Sequence, residues 1–306
     1  MTADNLNKYG KVAVLMGGMS GERDISLKSG AAVLAALKNS DVYATGIDVD
    51  TEIFSTLLKE KFDRVFIALH GSGGEDGAIQ GGLESINIPY TGSGVMASSI
   101  CMNKLMTKQV WASVGVPTPN YILLSNEDDY QSTKSKLGTV FAIKPSEEGS
   151  SLGIHKINNE EAFDFAVNDA KQFAGQLMAE QWVEGDEYTI GILDGEPLPV
   201  IKLKTPHSFY DYEAKYSADH TQYILPCGLL EEQEKRLQEL AMTAFNATDA
   251  SGWGRVDVMM DQDHQPWFLE INTVPGMTDH SLVPMAAAYR GISFEQLVLK
   301  ILDTAL

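Results

Sequence analysis

The chain has 306 residues, 44% of them hydrophobic, so it can bury more than one core. Its 42 acids against 23 bases give a formal charge of -19, which argues against nucleic acid and against an anionic membrane surface as partners. Cys101 and Cys227 are too few for a disulfide scaffold or a cysteine zinc site, and no apolar run reaches signal-core or membrane-span length, so a cytoplasmic location is expected.

In chain order, "KVAVLMGG" reads as a strand meeting two glycines. "DISLKSGAAVLAALKNS" has helical spacing, "VYATGIDV" reads as a strand, "TEIFSTLLKEKF" as a helix and "RVFIALHG" as a strand. This alternation predicts a parallel sheet. Ligands in such sheets sit at the carboxyl ends of strands, where "MGGMSGERD" and "HGSGGEDG" fall. "INIPYTGSG" closes this unit near residue 97. "SSICMNKLMTKQVWASVG" reads as a single helix stopped by Gly115 and Pro117. "TVFAIKPSEEGSSLGIHKI" is strand, Gly-Ser loop, strand; "NEEAFDFAVNDAKQF" is a helix and "LMAEQWVEG" a strand. Two strands follow, "EYTIGIL" and "PLPVIKL", then the polar loop "KTPHSFYDYEAKYSADH" and the amphipathic helix "LLEEQEKRLQELAMTAFNAT". A helix, "SFEQLVLKILDTAL", comes last.

Before that last helix lie "GWGRVDVMM" and "FLEINTVPG", joined by the turn chemistry of "DQDHQP". A hairpin centred between Asp263 and His264 pairs Asp257 with Glu270 and Arg255 with Asn272. Directly opposed carboxylates destabilise a sheet by roughly 0.2–1 kcal/mol. A cation between them would reverse that sign, and removing one carboxylate should relieve repulsion in the metal-free chain, whose melting temperature should hold or rise. Asp, Glu and Asn supply only oxygen ligands, which suit Mg2+ better than zinc. A solvated hairpin face is the plainer reading, and the hairpin alone leaves both open.

No Walker A pattern occurs, and the first glycines, Gly17-Gly18-x-x-Gly21, do not form the dinucleotide fingerprint, which disfavours a nicotinamide dehydrogenase. Lys144 precedes a Gly-Ser-Ser loop whose N–H groups and hydroxyls suit phosphate, although such a loop alone is more often a plain turn. The order of the features is more specific. A helix lysine (Lys104), a strand lysine (Lys144), an acid-hinge-acid segment (Glu180 to Glu187) and the hairpin together resemble the ATP-grasp superfamily. "GGMSGERDIS", "LHGSGGEDG", "IPYTGSGV", "KPSEEGSSLG", "YDYEAKY", "GWGRVDVM" and "LEINTVPGMTDHS" together resemble the D-alanine-D-alanine ligase family, over nearly the whole chain from about Lys11.

The resemblance implies an α/β fold: a Rossmann-like parallel domain at 1–97, then an ATP-grasp fold of two α+β subdomains, 98–183 and 184–306, closing on ATP. It implies ligation of two D-alanine molecules through an acyl phosphate, for peptidoglycan precursors, in a homodimer. Asp257, Glu270 and Asn272 would hold two Mg2+ or Mn2+ ions. Lys104, Lys144, Lys215, Ser151 and Asn272 would face the phosphates. The backbone of Gln181, Trp182 and Val183 would read the adenine edge beside Glu180, with Glu187 on the ribose. Trp182 is otherwise a core residue. Glu22 would bind the ammonium of the first D-alanine, and Ser281 with the N–H of Leu282 the carboxylate of the second. Arg255 and the N–H of Gly276 would face the oxyanion. His70 would lie with the substrates, although a lone strand-end histidine is more often structural. Lys215 and Tyr216 would belong to a lid that excludes water. The alternatives are a depsipeptide ligase adding D-lactate, against which Tyr216 argues, and a regulatory ATP-binding module without chemistry. The module would predict loss of Glu22, Arg255 or Ser281, and all three are present.

Under the resemblance Tyr216, Ser150 and Glu22 meet at the first D-alanine as one hydrogen-bonded network. Tyr216→Phe should lower kcat/KM for D-alanine by the equivalent of roughly 1–3 kcal/mol and raise the ATP consumed per dipeptide. Ser150→Ala should cost a similar amount, and the double variant less than the sum. Additive losses in that cycle would rule the network out.

Overall fold

The computed structural model describes residues 8–125, 127–149, 153–173, 175–205, 221–278 and 280–305. The first sheet is parallel, in the order β2 (Ala44–Asp48), β1 (Val12–Met16), β3 (Arg64–Ile67). All five residues of β1 are buried, as expected for a central strand covered on both faces. Its exit into helix α1 (Arg23–Asn39) runs through Gly17 and Gly18, at φ +75° and +78°. A Cβ on Gly17 would lie 2.1 Å from Oδ1 of Asp48, so a side chain there would push aside the carboxylate that Arg23 holds as well as strain the backbone. Helix α1 buries Ser26, Ser29, Gly30, Val33, Ala36 and Leu37, a stripe at helical spacing laid on the sheet. Helix α2 (Ile53–Glu60) precedes β3, and α3 (Ala78–Ser85) follows it.

The expected single helix around Lys104 is two: α4 (Val95–Met102) and α5 (Lys104–Ser113). Asn103 causes the break. Its backbone is extended, and its side chain accepts the N–H of Met106, an N-cap that starts a new helix. The N–H of Lys104, freed from helical bonding, donates to the carbonyl of Ser146 at 2.8 Å.

The second sheet is antiparallel, β4 (Tyr121–Leu123), β7 (Leu177–Gln181), β5 (Phe141–Pro145), β6 (His155–Ile157), with helices α6 (Tyr130–Leu137) and α7 (Glu160–Asp169) between its strands in the chain. The third is also antiparallel: β11 (Gln222–Ile224), β10 (Ile201–Lys204), β8 (Gly185–Leu193), β12 (Trp253–Asp261), β13 (Pro266–Asn272). A short β9 (Glu196–Pro197) pairs with β8, so "PLPVIKL" is two strands broken at Leu198–Val200, not one. Helix α8 (Glu231–Ala247) opens with Glu231, Glu232 and Glu234, acids that favour a helix N-terminus. Helix α9 (Leu282–Tyr289) is not signalled by the sequence pattern, and α10 (Phe294–Asp303) is.

Three hydrophobic cores result. The second sheet has its own, around Phe141, Ile143 and Phe163. The third sheet packs under α8 and α5, where Trp111 meets Phe268 edge-on at 5.9 Å. The first sheet shares its core with chain that lies far away in sequence: Val12 to Leu15 and Phe66 join Trp253, Val283, Ala287, Leu297 and Ile301.

The Asn103 cap is testable. Asn103→Ala should lower stability by about 1 kcal/mol, read as a smaller urea midpoint at unchanged m-value. An unchanged midpoint would mean that the helix break is held by tertiary contacts alone.

Candidate active site

The β12–β13 hairpin carries the site. Arg255 pairs with Asn272 and Asp257 with Glu270, the register expected of a hairpin centred between Asp263 and His264. Past Asp257 the register slips, and Val258 pairs with Phe268. Leu269 is the extra residue of this bulge, so the half of the hairpin nearest the turn is one residue out of the expected pairing.

The expected carboxylate repulsion is not what the structure holds. Arg255 forks onto Asp257, Nε donating to Oδ1 at 2.8 Å and Nη2 to Oδ2 at 2.7 Å. Thr189 donates to the same carboxylate at 2.6 Å and Asn272 Nδ2 at 3.1 Å. Nζ of Lys104 lies 3.4 Å from Oε2 of Glu270. Each carboxylate therefore has its own cation. The expectation that losing either one relieves strain is overturned for Asp257, which is buried inside its bonds.

Two cavities meet at these rungs. One, of about 420 Å3, lies between the second and third sheets. It gathers Lys104, Lys144, Glu180, Gln181, Trp182, Val183 and Glu187 with Asp257 and Glu270. Ala142, Ile154, Leu203, Met259 and Leu269 give it apolar walls suited to a flat base. The N–H groups of Gln181 and Trp182 already donate to the carbonyls of Asn120 and Val140. Lys156 sits 4.3 Å from the centroid of the Trp182 ring. Nζ of Lys104 donates to the carbonyl of Glu148, and Lys144 reaches Oε1 of Glu180, both at 2.5 Å.

The other cavity, of about 1080 Å3, gathers Glu22, His70, Arg255, Asn272, Gly276, Ser281 and Leu282. Glu22 is buried at the start of α1, and its carboxylate approaches Gly71 and Gly149 so closely that a Cβ on either would lie within 2.9 Å of Oε2. Ser281 caps α9, and Leu282 is that helix's first residue, so its N–H points out of a helix N-terminus, where anions are favoured. The Ser281 hydroxyl accepts the N–H of Thr278 at 2.9 Å.

His70 is buried, with both ring nitrogens engaged. Nδ1–H donates to the carbonyl of Val274 at 2.9 Å, which leaves Nε2 to accept from the Ser29 hydroxyl at 3.1 Å. The Ser29 oxygen in turn accepts the N–H of Met277. Burial pulls the His70 pKa down to about 4, so the ring is neutral near pH 7. Ser150, Ser151, Lys215 and Tyr216 lie outside the described residues.

Two residues without a sequence prediction belong to the site. Glu75, in "HGSGGEDG", faces Glu22 across the larger cavity. Burial, and then the charge of Glu22, push its pKa up to about 8, although the N–H groups of Gly71 and Val274 bond it. Lys108 is wholly buried behind Glu180. Its position four residues after Lys104 on α5 was the available signal, since both then share a helix face.

The fold defines an ATP-grasp enzyme: two antiparallel sheets enclosing a slot with two lysines and an oxygen-rich hairpin, behind a parallel α/β unit. The sequence models of the D-ala D-ala ligase C-terminus and N-terminus match residues 110–303 and 50–93. A D-alanine–D-alanine ligase of Ectopseudomonas mendocina is 55% identical over 96% of this chain and 94% of its own length. One from Hydrogenovibrio crunogenus is 50% identical over 100% of this chain and 97% of its own. Among solved structures, a Bacillus anthracis D-alanine–D-alanine ligase complexed with ATP has a TM-score of 0.84 at 29% identity, covering 96% of this chain and 97% of that one. A D-Ala:D-Ser ligase from Enterococcus faecalis has a TM-score of 0.83 at 27% identity, over 97% and 99%. The chain belongs to the D-alanine–D-alanine ligase family.

The two shifted groups give opposite pH limbs. His70 has a folded pKa near 4 against an ordinary 6.5, so its contribution is full above pH 6.5 and is lost as pH falls toward 4. Glu75 is raised from 4.5 to about 8, so the folded state is penalised as pH rises through that window. Glu75→Gln should therefore gain melting temperature relative to the parent between pH 5 and 8, and His70→Asn should flatten the acid limb between pH 6.5 and 4. Three parallel Tm-against-pH curves would show that neither group titrates as its surroundings dictate.

Proposed function

We propose that the chain uses ATP to join two D-alanine molecules into D-alanyl-D-alanine for peptidoglycan synthesis. The observation that carries this reading is the pair of hairpin rungs: Asp257–Glu270 opens into the slot with the lysines, and Arg255–Asn272 into the cavity with Glu22. Chemistry between a nucleotide and an amino acid needs both sites to share one wall. Family membership supports the same reaction. Three units, 1–97, 98–183 and 184–306, would do this work, each holding one of the sheets.

ATP would enter the smaller cavity, its base between the apolar walls and its phosphates toward Lys104 and Lys144. With the N–H groups of Gln181 and Trp182 given to the protein, the N–H of Val183 would read the base edge. Asp257, Glu270 and Asn272 would hold divalent metal: they offer oxygen donors on one hairpin face, suited to Mg2+ or Mn2+, with Arg255 and Lys104 now beside the two carboxylates. Such ions, when bound, would neutralise charge on the phosphates. Glu22 would hold the ammonium of the first D-alanine, with Glu75 protonated beside it, so that one net charge faces one ammonium. The carboxylate of that D-alanine would attack the γ-phosphorus and release ADP, and the neutral amine of the second D-alanine would attack the carbonyl of the acyl phosphate, releasing inorganic phosphate and a proton. Arg255 and the N–H of Gly276 would stabilise the oxyanion, and Ser281 with the N–H of Leu282 would hold the second carboxylate. His70 would act indirectly, fixing the Val274–Met277 turn on which Gly276 sits. Ser150, Ser151, Lys215 and Tyr216, outside the described residues, would complete the site.

Phosphate release from ATP should depend on D-alanine and not on L-alanine. D-serine and D-lactate arms measure tolerance for the second substrate, and no D-alanine dependence would sink the reading. Glu270→Gln should lower turnover at least 100-fold while costing under about 1 kcal/mol of stability, because Lys104 keeps other partners. Asp257→Asn should lower turnover as far and also cost on the order of 2 kcal/mol, because Arg255 and Thr189 lose a buried charge. Urea unfolding beside the activity assay separates the two.

A further inference from the structure

Glu180 is a single buried carboxylate with two lysines, one on each oxygen. Lys144 takes Oε1 at 2.5 Å, and Lys108 pairs with Oε2. The two lysines are not equivalent. Lys144 lines the smaller cavity and is 7% exposed at its side chain, whereas Lys108 is 0% exposed and does not reach the cavity. Lys108 is also fixed in place. It donates to Thr118 Oγ1 at 2.5 Å, and that hydroxyl donates to the carbonyl of Phe268 at 2.9 Å on β13. The Tyr121 ring stands 5.7 Å away. One lysine is therefore on the cavity side of the carboxylate and the other on the core side.

We infer that Lys108 is a positioning residue for nucleotide binding, the standing counter-ion that keeps Glu180 neutralised when Lys144 turns from it to a phosphate. The inference rests on the reading of the smaller cavity as the ATP site. A buried carboxylate abandoned by its only cation is strongly disfavoured, so a lysine that is the sole partner of Glu180 cannot leave it cheaply. With Lys108 in place, the departure of Lys144 exchanges one anion for another and strands no charge. Burial lowers the Lys108 pKa to about 8. Burial also works against ionised Glu180, but Lys108 and Lys144 outweigh it and hold that carboxyl below its ordinary range. The pair is thus charged near neutrality without help from solvent.

The test compares two probes on the whole chain, ATP and adenosine, by calorimetric or NMR titration. Only ATP draws Lys144 away from Glu180. Lys108→Met should weaken ATP binding and raise KM for ATP about tenfold or more, while adenosine affinity stays within about twofold and KM for D-alanine is unmoved. A purely structural role would weaken both probes alike, or lower Tm and neither affinity, and either result overturns the inference. Lys108→Met with Glu180→Gln removes the charge that needed neutralising. It should bring the ATP-to-adenosine affinity ratio back to within about threefold of the parent. This neutral pair carries the test if the single variant does not fold, and a ratio still depressed tenfold overturns the inference. Lys144→Met serves as the control for the site itself. It should weaken ATP and spare adenosine, and if ATP binding is untouched, the placing of the nucleotide fails rather than the role of Lys108.

Discussion

The fork of Arg255 onto Asp257 is the interaction on which the rest of the site depends. It joins two residues of one strand, so it cannot be lost by movement between sheets. It fixes the guanidinium at the mouth of one cavity and the carboxylate at the wall of the other, two residues or about 7 Å apart along the strand. Thr189 on β8 and Asn272 on β13 brace Asp257 from both neighbouring strands, so three strands set the position of one carboxylate.

The same hairpin shows what a sequence can disclose. The alternation of Arg255, Asp257, Glu270 and Asn272 set which residues share a face, because side-chain period leaves a strand only two faces, whereas their pairing had to be assumed from a turn centred between Asp263 and His264. The bulge at Leu269 was not legible, since an extra residue keeps the composition and changes only the count. The break at Asn103 was missed for a related reason. Helical spacing runs through it, and only the side-chain bond to the N–H of Met106 distinguishes a cap from a mid-helix asparagine. Helix α9 was missed because "LVPMAAAY" is short and apolar nearly all round, without the polar face that reveals a surface helix.

Charge was read less well than geometry. Opposed carboxylates looked repulsive in sequence because their cations, Arg255 and Lys104, reach them from positions that pairing alone does not connect. Glu75 went unread for the same reason, and Lys108 had only its spacing from Lys104 to mark it. Each is an ordinary charged residue in its own segment, and becomes unusual only when folding removes water and supplies a second charge beside it.

The shared core of the first sheet bears on how the chain is made. Val12 to Leu15 belong to one core with Val283, Ala287, Leu297 and Ile301, so the core of the earliest strand is completed by nearly the latest helices. Contacts this distant in sequence form late and slow folding. During synthesis from the N-terminus, the first parallel sheet must wait with part of its apolar surface uncovered until α9 and α10 have left the ribosome. The loop after β3 is tied in the same way: His70 at its start bonds the carbonyl of Val274, 204 positions later, so that tie forms only once the hairpin has been made.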